Sequence, residues 1–304
     1  MTDRFDYARP EIVIAAARQV VENELGDAPL ATTLQAVISA FERAAMAYDP
    51  PRVPALTRLP LLVHGAVLGD QQGALPLAGI ALLLFIGIDL LDDIMDSDIT
   101  PYWRGANAAE TLLVATTLTC ALPQAAITSL QAPAGVRASM QGTLARGLLW
   151  MARGQLTDIR STGTTSLAPD DVLSSVSDKS GAFTAMLAEL GAILAGASEG
   201  TIGAYRDWGQ AYGTADQLRS DCADLFRDPI GSDLAGRISG APRTEEWTSV
   251  PSRDCSSRHA NAGPPRRCRE VQRAPGPTRS GRRQCRHHCA GLSRPRSGHQ
   301  LPTR

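Results

Sequence analysis

Lysine is all but missing from this chain. Of the 30 lysines and arginines in its 304 residues, only Lys179 is a lysine. The bias toward arginine fits a GC-rich coding sequence. A task that needs a compact point charge with rotatable donors, rather than arginine's wide fork, falls to that one residue; the plain alternative is a surface lysine left by chance. Cysteine occurs six times but never as a CxxC pair. The spacing of Cys255, His259, Cys268, Cys285, His287, His288 and Cys289 matches no standard zinc module. The start, MTDRFDYARP, is charged and lacks the apolar stretch of a signal peptide. The longest uncharged apolar run, about Ala74 to Ile88, is shorter than the ~18 residues of a membrane span. These absences point to a cytoplasmic chain with no transmembrane segment. No segment alternates polar and apolar residues between turn signals at strand spacing, which excludes a sheet.

Helical signals fill the gap. PEIVIAAARQVVENELG has proline near its first turn and glycine at its end. TTLQAVISAFERAAMAY follows, with Thr32 as a candidate N-cap, and DPPRVP is a break. Further helices are predicted at 54–69, 74–96, 106–121, 135–160, 170–178, 181–198 and 201–226. The hydrophobic fraction of 43% is enough for a core. The expectation is an all-α single domain over residues 1–240.

The helix predicted at 74–96 ends in LLDDIMDSD. Asp92 and Asp96 are i and i+4, so they share a face, with Asp89 and Asp93 close by. Carboxylates at a helix C-terminus sit against the negative end of its dipole and repel one another. Stability does not explain them. A divalent cation does, because hard oxygen ligands hold Mg²⁺ while a substrate phosphate completes its shell. The alternative is a solvated acidic helix end. A second acidic cluster stands in WGQAYGTADQLRSDCADLF, where Asp221 and Asp224 are i,i+3 and Gln217 lies one turn before Asp221. GQLTD (Gly154 to Asp158) and DKSGAF (Asp178 to Phe183) lie between the clusters.

These four landmarks, in this order, resemble the polyprenyl synthetase family, the trans-isoprenyl diphosphate synthases, over roughly residues 10 to 237. The resemblance implies an isoprenoid-synthase helical bundle around a central cavity. It makes Asp92, Asp93 and Asp96 metal ligands, joined by Asp221 and Asp224 from the second motif, where Ser220 replaces the first aspartate. Arg104, in WRG, matches the second arginine of the family's RRG, and Trp103 replaces the first. Lys179 matches the lysine of the K-T/S-G segment, and Gln217 the glutamine of FQ. Arg237, in DLAGR, takes the place of a further diphosphate-binding lysine. The family's GKxxRP acceptor signature is altered: Leu59-Pro60 stands for Arg-Pro, and Arg58 is one position off.

The implied reaction is that of a Mg²⁺-dependent prenyltransferase, with three Mg²⁺ per site. An allylic prenyl diphosphate is ionised, and the acceptor is isopentenyl diphosphate or another small molecule. Asp92, Asp93, Asp96, Lys179 and Asp221 would carry the catalysis. Arg58, Arg104, Lys179, Gln217 and Arg237 would hold diphosphate. A class I terpene cyclase, or an inactive paralogue or partner subunit of a heteromeric synthase, are the alternatives. The family implies a homodimer. Phe85, Phe183 and Tyr212 are candidate walls of a prenyl pocket or ordinary core aromatics.

The net charge of −1 hides a split. Up to Gly240 there are 16 basic and 27 acidic residues, and from Ala241 there are 14 basic and 4 acidic. The 241–304 segment holds eight prolines, four cysteines and four histidines, but only Val250, Val271, Leu292 and Leu301 as branched aliphatics. Such a segment cannot offset its ordering entropy and is expected to be a disordered basic tail. It lacks any recognition motif, so no nucleic acid is expected. It reads as a GC-rich stretch translated out of frame from about residues 237 to 245.

Overall fold

The computed structural model describes residues 9–48, 51, 53–96, 107–161 and 168–224. Ten α-helices and no strand are found among them: α1 Pro10–Leu25, α2 Pro29–Met46, α3 Leu59–Leu68, α4 Leu75–Asp96, α5 Ala108–Thr116, α6 Leu122–Ser129, α7 Ala134–Ser161, α8 Pro169–Val176, α9 Ala182–Leu194 and α10 Glu199–Asp224. The expected tail, with its 241–304 boundary, lies outside the described residues.

Local chemistry sets most helix ends. Proline opens α1, α2 and α8, where its missing N–H costs nothing. Asn107 caps α5, its side-chain oxygen accepting from the Glu110 N–H at 2.8 Å. Gly69 ends α3 at φ 73°, a left-handed conformation that suits glycine. Thr32 is not a cap: α2 starts a turn earlier, at Pro29, with Ala28 in the capping position. The span predicted at 54–69 is divided into a 3₁₀ turn, Ala55–Arg58, and α3.

Two predicted breaks are not breaks. The helix predicted to end at 121 continues to Ser129 through a π turn, Thr117–Ala121, which precedes Pro123 in the first turn of α6. The gap expected between 178 and 181 is a second π turn, Ser177–Gly181, joining α8 to α9 without interruption. Glycine is tolerated there because neighbouring side chains crowd it: a Cβ on Gly181 would meet Thr214 Oγ1 at 2.6 Å and Gln210 Nε2 at 2.8 Å.

The core centres on α4 and α9, which are apolar nearly all round, as interior helices are. Leu77, Ile80, Leu82, Leu83, Leu84 and Ile86 of α4 are each at most 1% exposed. Residues Ala182 to Ile193 of α9 are all buried. α1 and α5 pack on α4, while α3, α7 and α10 pack on α9. The one acid inside α9, Glu189, is met by Thr143 Oγ1 at 3.1 Å and Arg146 Nη2 at 3.4 Å from α7.

Length and composition alone would let two helical segments cross a membrane: Gln72–Met95, 24 residues, and Ala108–Ser129, 22 residues. The count of uncharged residues stopped at Asp89 and missed the full length of the first. Its apolar window is 67% buried inside the protein, as the central helix of a globular core would be.

Candidate active site

A cavity of about 620 Å³ lies between the end of α4, the C-terminal part of α7, the α8–α9 π turn and the second half of α10. Leu56, Phe85, Ile88, Val176 and Phe183 give it an apolar wall. Its polar lining is lopsided: Asp89, Asp92, Asp158 and Asp216 supply four carboxylates, against the single ammonium of Lys179, among the described residues. Such a surface draws cations.

Lys179 and Asp92 meet at the centre. The Lys179 Nζ donates to Asp92 Oδ1 at 2.9 Å and to Oδ2 at 3.2 Å, and lies 3.7 Å from Asp158 Oδ2. All three side chains are a quarter to a third exposed, so the pairs are neither fully screened nor fully desolvated. Gln155 joins them, its Nε2 donating to Asp92 Oδ1 at 2.9 Å. A carboxylate has no proton to give, which fixes the orientation of that amide. Its other end, Oε1, is buried and has no partner among the described residues. A buried, unpaired oxygen costs about 1–3 kcal/mol and is an acceptor in want of a donor or a cation.

The π turn aims the lysine. A π turn closes a ring one residue wider than an α turn, and such bulges recur at functional sites. Here each of four successive residues has its own tether. The Ser177 carbonyl accepts from Gln210 Nε2 at 2.6 Å. Asp178 takes a two-pronged bond from Arg153, Nε to Oδ2 at 2.8 Å and Nη2 to Oδ1 at 2.7 Å. Lys179 reaches Asp92. Ser180 Oγ donates to Gln217 Oε1 at 3.0 Å, and Gln217 Nε2 donates to Asp221 Oδ1 at 2.8 Å. The Arg153 guanidinium is pushed above the usual arginine range by its bond to Asp178. Glycine allows the close fit: a Cβ on Gly154 would lie 2.5 Å from the Lys179 nitrogen, and one on Gly213 would lie 2.7 Å from the Ser180 oxygen.

The structure thus brings Asp92, Lys179 and Gln217 together at one cavity. Asp93 and Asp221 are not among the residues that line it, although Asp221 accepts from the lining Gln217. Arg58 closes the 3₁₀ turn whose Leu56 lines the wall. Asp96 and Asp224 end α4 and α10. Arg104 and Arg237 fall outside the described residues. Phe85 and Phe183 face the cavity, whereas Tyr212 stacks on Trp208 at the surface, with ring centroids 5.3 Å apart. The glycines Gly209 and Gly213 face α9, which turns their neighbours Trp208 and Tyr212 outward. Sequence reading passed over Asp89, Asp158 and Asp216 as site residues. The signal was present, since Asp89 is i−3 to Asp92 and Asp158 closes GQLTD.

The sequence profile of the family described as polyprenyl synthetase matches residues 58–243, more than half of the chain. The chain belongs to the polyprenyl synthetase family. Geranylgeranyl diphosphate synthase of Mycobacterium tuberculosis (strain ATCC 25618 / H37Rv) is 28% identical over 185 residues, 57% of this chain and 52% of that protein. The chain therefore spans about half the length of that curated relative. Among solved structures, geranylgeranyl pyrophosphate synthetase from the archaeon Geoglobus acetivorans superposes with a TM-score of 0.57 at 22% identity, covering 72% of this chain and 70% of that one. A polyprenyl synthase from Caulobacter crescentus, complexed with calcium and isoprenyl diphosphate, gives 0.56 at 20% identity, over 74% and 65%. These likenesses establish the all-α isoprenoid-synthase fold of this family member.

Proposed function

We propose that this chain is a Mg²⁺-dependent prenyltransferase. It ionises an allylic prenyl diphosphate and joins the prenyl group to an acceptor, isopentenyl diphosphate or another small molecule. The observation that carries the reading is the juxtaposition of Lys179, four carboxylates and an apolar wall in one cavity. The relatives named above, which make or bind prenyl diphosphates, support it.

The donor set fits a hard divalent cation. Among the described residues, no three acid, cysteine or histidine side chains form a cage for a metal by themselves. Mg²⁺ needs no such cage: it keeps waters and takes one or two carboxylates plus substrate phosphate. Asp89, Asp92, Asp158 and Asp216, which line the cavity, would be ligands of that kind. Three Mg²⁺ per site, with Asp93, Asp96, Asp221 and Asp224 as further ligands, belong to this reading.

When bound, Mg²⁺ supplies the Lewis-acid charge that lets diphosphate leave. The chain's own residues do the rest. Asp92 and Asp89 would hold the Mg²⁺ that neutralises the charged head. Lys179 exchanges Asp92 for the leaving diphosphate and stabilises its growing charge. Phe85, Ile88, Val176 and Phe183 surround the allylic tail and keep water from the cation left behind. Arg58, Arg104 and Arg237 join in gripping diphosphate. A homodimer working in the cytoplasm completes the proposal.

The test is incubation with Mg²⁺ and geranyl or farnesyl diphosphate, with and without isopentenyl diphosphate. Elongated diphosphates that appear only with isopentenyl diphosphate support it. A cyclic hydrocarbon made without a second substrate would replace it with a terpene cyclase. Absence of any turnover would leave a subunit or an inactive paralogue.

A further inference from the structure

Arg153 and Asp178 do not line the cavity, yet they make the tightest charged contact near the site. Arg153 holds both Asp178 oxygens, at 2.7 and 2.8 Å, across 25 residues of chain. The Asp178 side chain is only 14% exposed. Arg153 is supported from behind by Trp150, whose ring centre lies 4.1 Å from the guanidinium carbon. Of the four tethers on the π turn, this one and the Gln210–Ser177 bond lie outside the cavity lining, and this one is the charged pair next to Lys179.

We infer that Arg153 and Asp178 are a positioning pair that sets the direction of Lys179. Asp178 precedes Lys179 in a turn whose wider ring has lost the regular helical ladder. Fixing the carboxylate of one residue fixes the backbone dihedrals that aim the next. A two-pronged arginine–carboxylate bond fixes orientation as well as distance, which a single-point bond does not. Arg153 and Gln155 flank Gly154 on α7, so one stretch of helix grips the turn on its outer side and meets Asp92 on the inner side. The inference rests on the proposed role of Lys179 at diphosphate.

Lys179 is the only lysine in the chain, so its reactivity can be followed by itself. The full-length protein is treated with a limiting amine-acylating reagent, and the rate at Lys179 is read by mass spectrometry. Affinity for inorganic pyrophosphate with Mg²⁺ is measured alongside by calorimetry. Asp178→Asn and Arg153→Met should each raise the acylation rate, and weaken pyrophosphate binding, by about fivefold, as expected for a partly exposed pair. The double variant should match either single one, and Asp178→Glu, which keeps the carboxylate, should stay near wild type. If both single variants keep wild-type acylation and pyrophosphate affinity while melting lower, the pair is only structural and the inference is wrong. Lys179→Met separates the two ideas. Unchanged pyrophosphate affinity in that variant overturns the role of the lysine, while the acylation rates still decide whether the pair aims it.

Discussion

Replacing Gly154 by alanine should both loosen this protein and blunt its site. The added Cβ would lie 2.5 Å from the Lys179 nitrogen, 2.7 Å from the Asp178 carbonyl carbon and 3.0 Å from the Asp178 Cβ. Ordinary contact begins near 3.4 Å. The π turn must therefore retreat from α7 by about 1 Å, and since the nearest atoms are backbone, no side chain can swing aside. Overpacking of this kind costs about 3 kcal/mol at the upper end of its usual range. Alanine in a helix interior returns about 1 kcal/mol over glycine. The net loss of about 2 kcal/mol lowers the melting temperature by about 4–8 °C for a body of this size. Gly142, on the same helix, is the matched control. There a Cβ meets only the tip of the Arg146 side chain, at 3.3 Å. Gly142→Ala should raise the melting temperature by about 2–4 °C. The Gly154 variant should also bind Mg²⁺–pyrophosphate at least about tenfold more weakly, since a misplacement of about 1 Å at a catalytic group can cost up to a hundredfold. A Gly154→Ala protein that melts at or above wild type and binds pyrophosphate as tightly would refute the close fit of α7 against the turn.

Other substitutions probe other parts of the site. Asp92→Ala should cut turnover by at least about 100-fold at saturating Mg²⁺, and a rate within about threefold of wild type would remove this carboxylate from the mechanism. Lys179→Ala should weaken allylic diphosphate binding while the melting curve stays close to wild type, because the ammonium sits at a cavity wall rather than in the core. Gln210→Ala removes the side-chain donor to the Ser177 carbonyl and should cost about 1 kcal/mol, or about 2–4 °C in a thermal melt.

Much of this architecture is legible in the sequence, and the rest fails for definite reasons. The start and end of α4 were readable because nearly every residue from Leu75 to Leu91 is apolar and the acids close the run. α10, predicted at 201–226, was readable within two residues at each end. The two π turns were not. Serine and glycine in DKSG read as a helix break, since the contacts that let the helix pass through Gly181 come from Thr214 and Gln210, more than 25 residues on. Pro123 does not break the helix predicted to end at 121, because it lies in the first turn of α6, just past the bulge. The Arg153–Asp178 pair left no local trace, because nothing on α7 marks that arginine apart from the others. Tyr212, a candidate for a pocket wall or for the core, is in neither place. The glycines beside it decide the face, and they turn it outward.

The register of the second π turn gives the last prediction. A helix that has lost a ladder bond survives where something else compensates, and between Ser177 and Gly181 the compensation is visible as four side-chain tethers to three different helices. The first π turn, Thr117–Ala121, is held otherwise, by Thr119 Oγ1 on the Ala115 carbonyl at 2.8 Å and by packing on Gly87 of α4, shortly before Asp92. Both π turns among the described residues thus pack against the second half of α4. If the extra residue in the second turn is what points Lys179 at Asp92, deleting one residue should undo it. Deletion of Ser180 moves the lysine into the place that serine held, turned by about 100° around the axis. The ammonium would then face Gln217 on α10 rather than Asp92 on α4. The helix itself should become more regular, so far-ultraviolet circular dichroism should keep its full helical signal while Mg²⁺–pyrophosphate binding falls by an order of magnitude or more. Retained helicity with undiminished pyrophosphate affinity would mean that the lysine reaches its ligand from either register, and that the π turn serves packing alone.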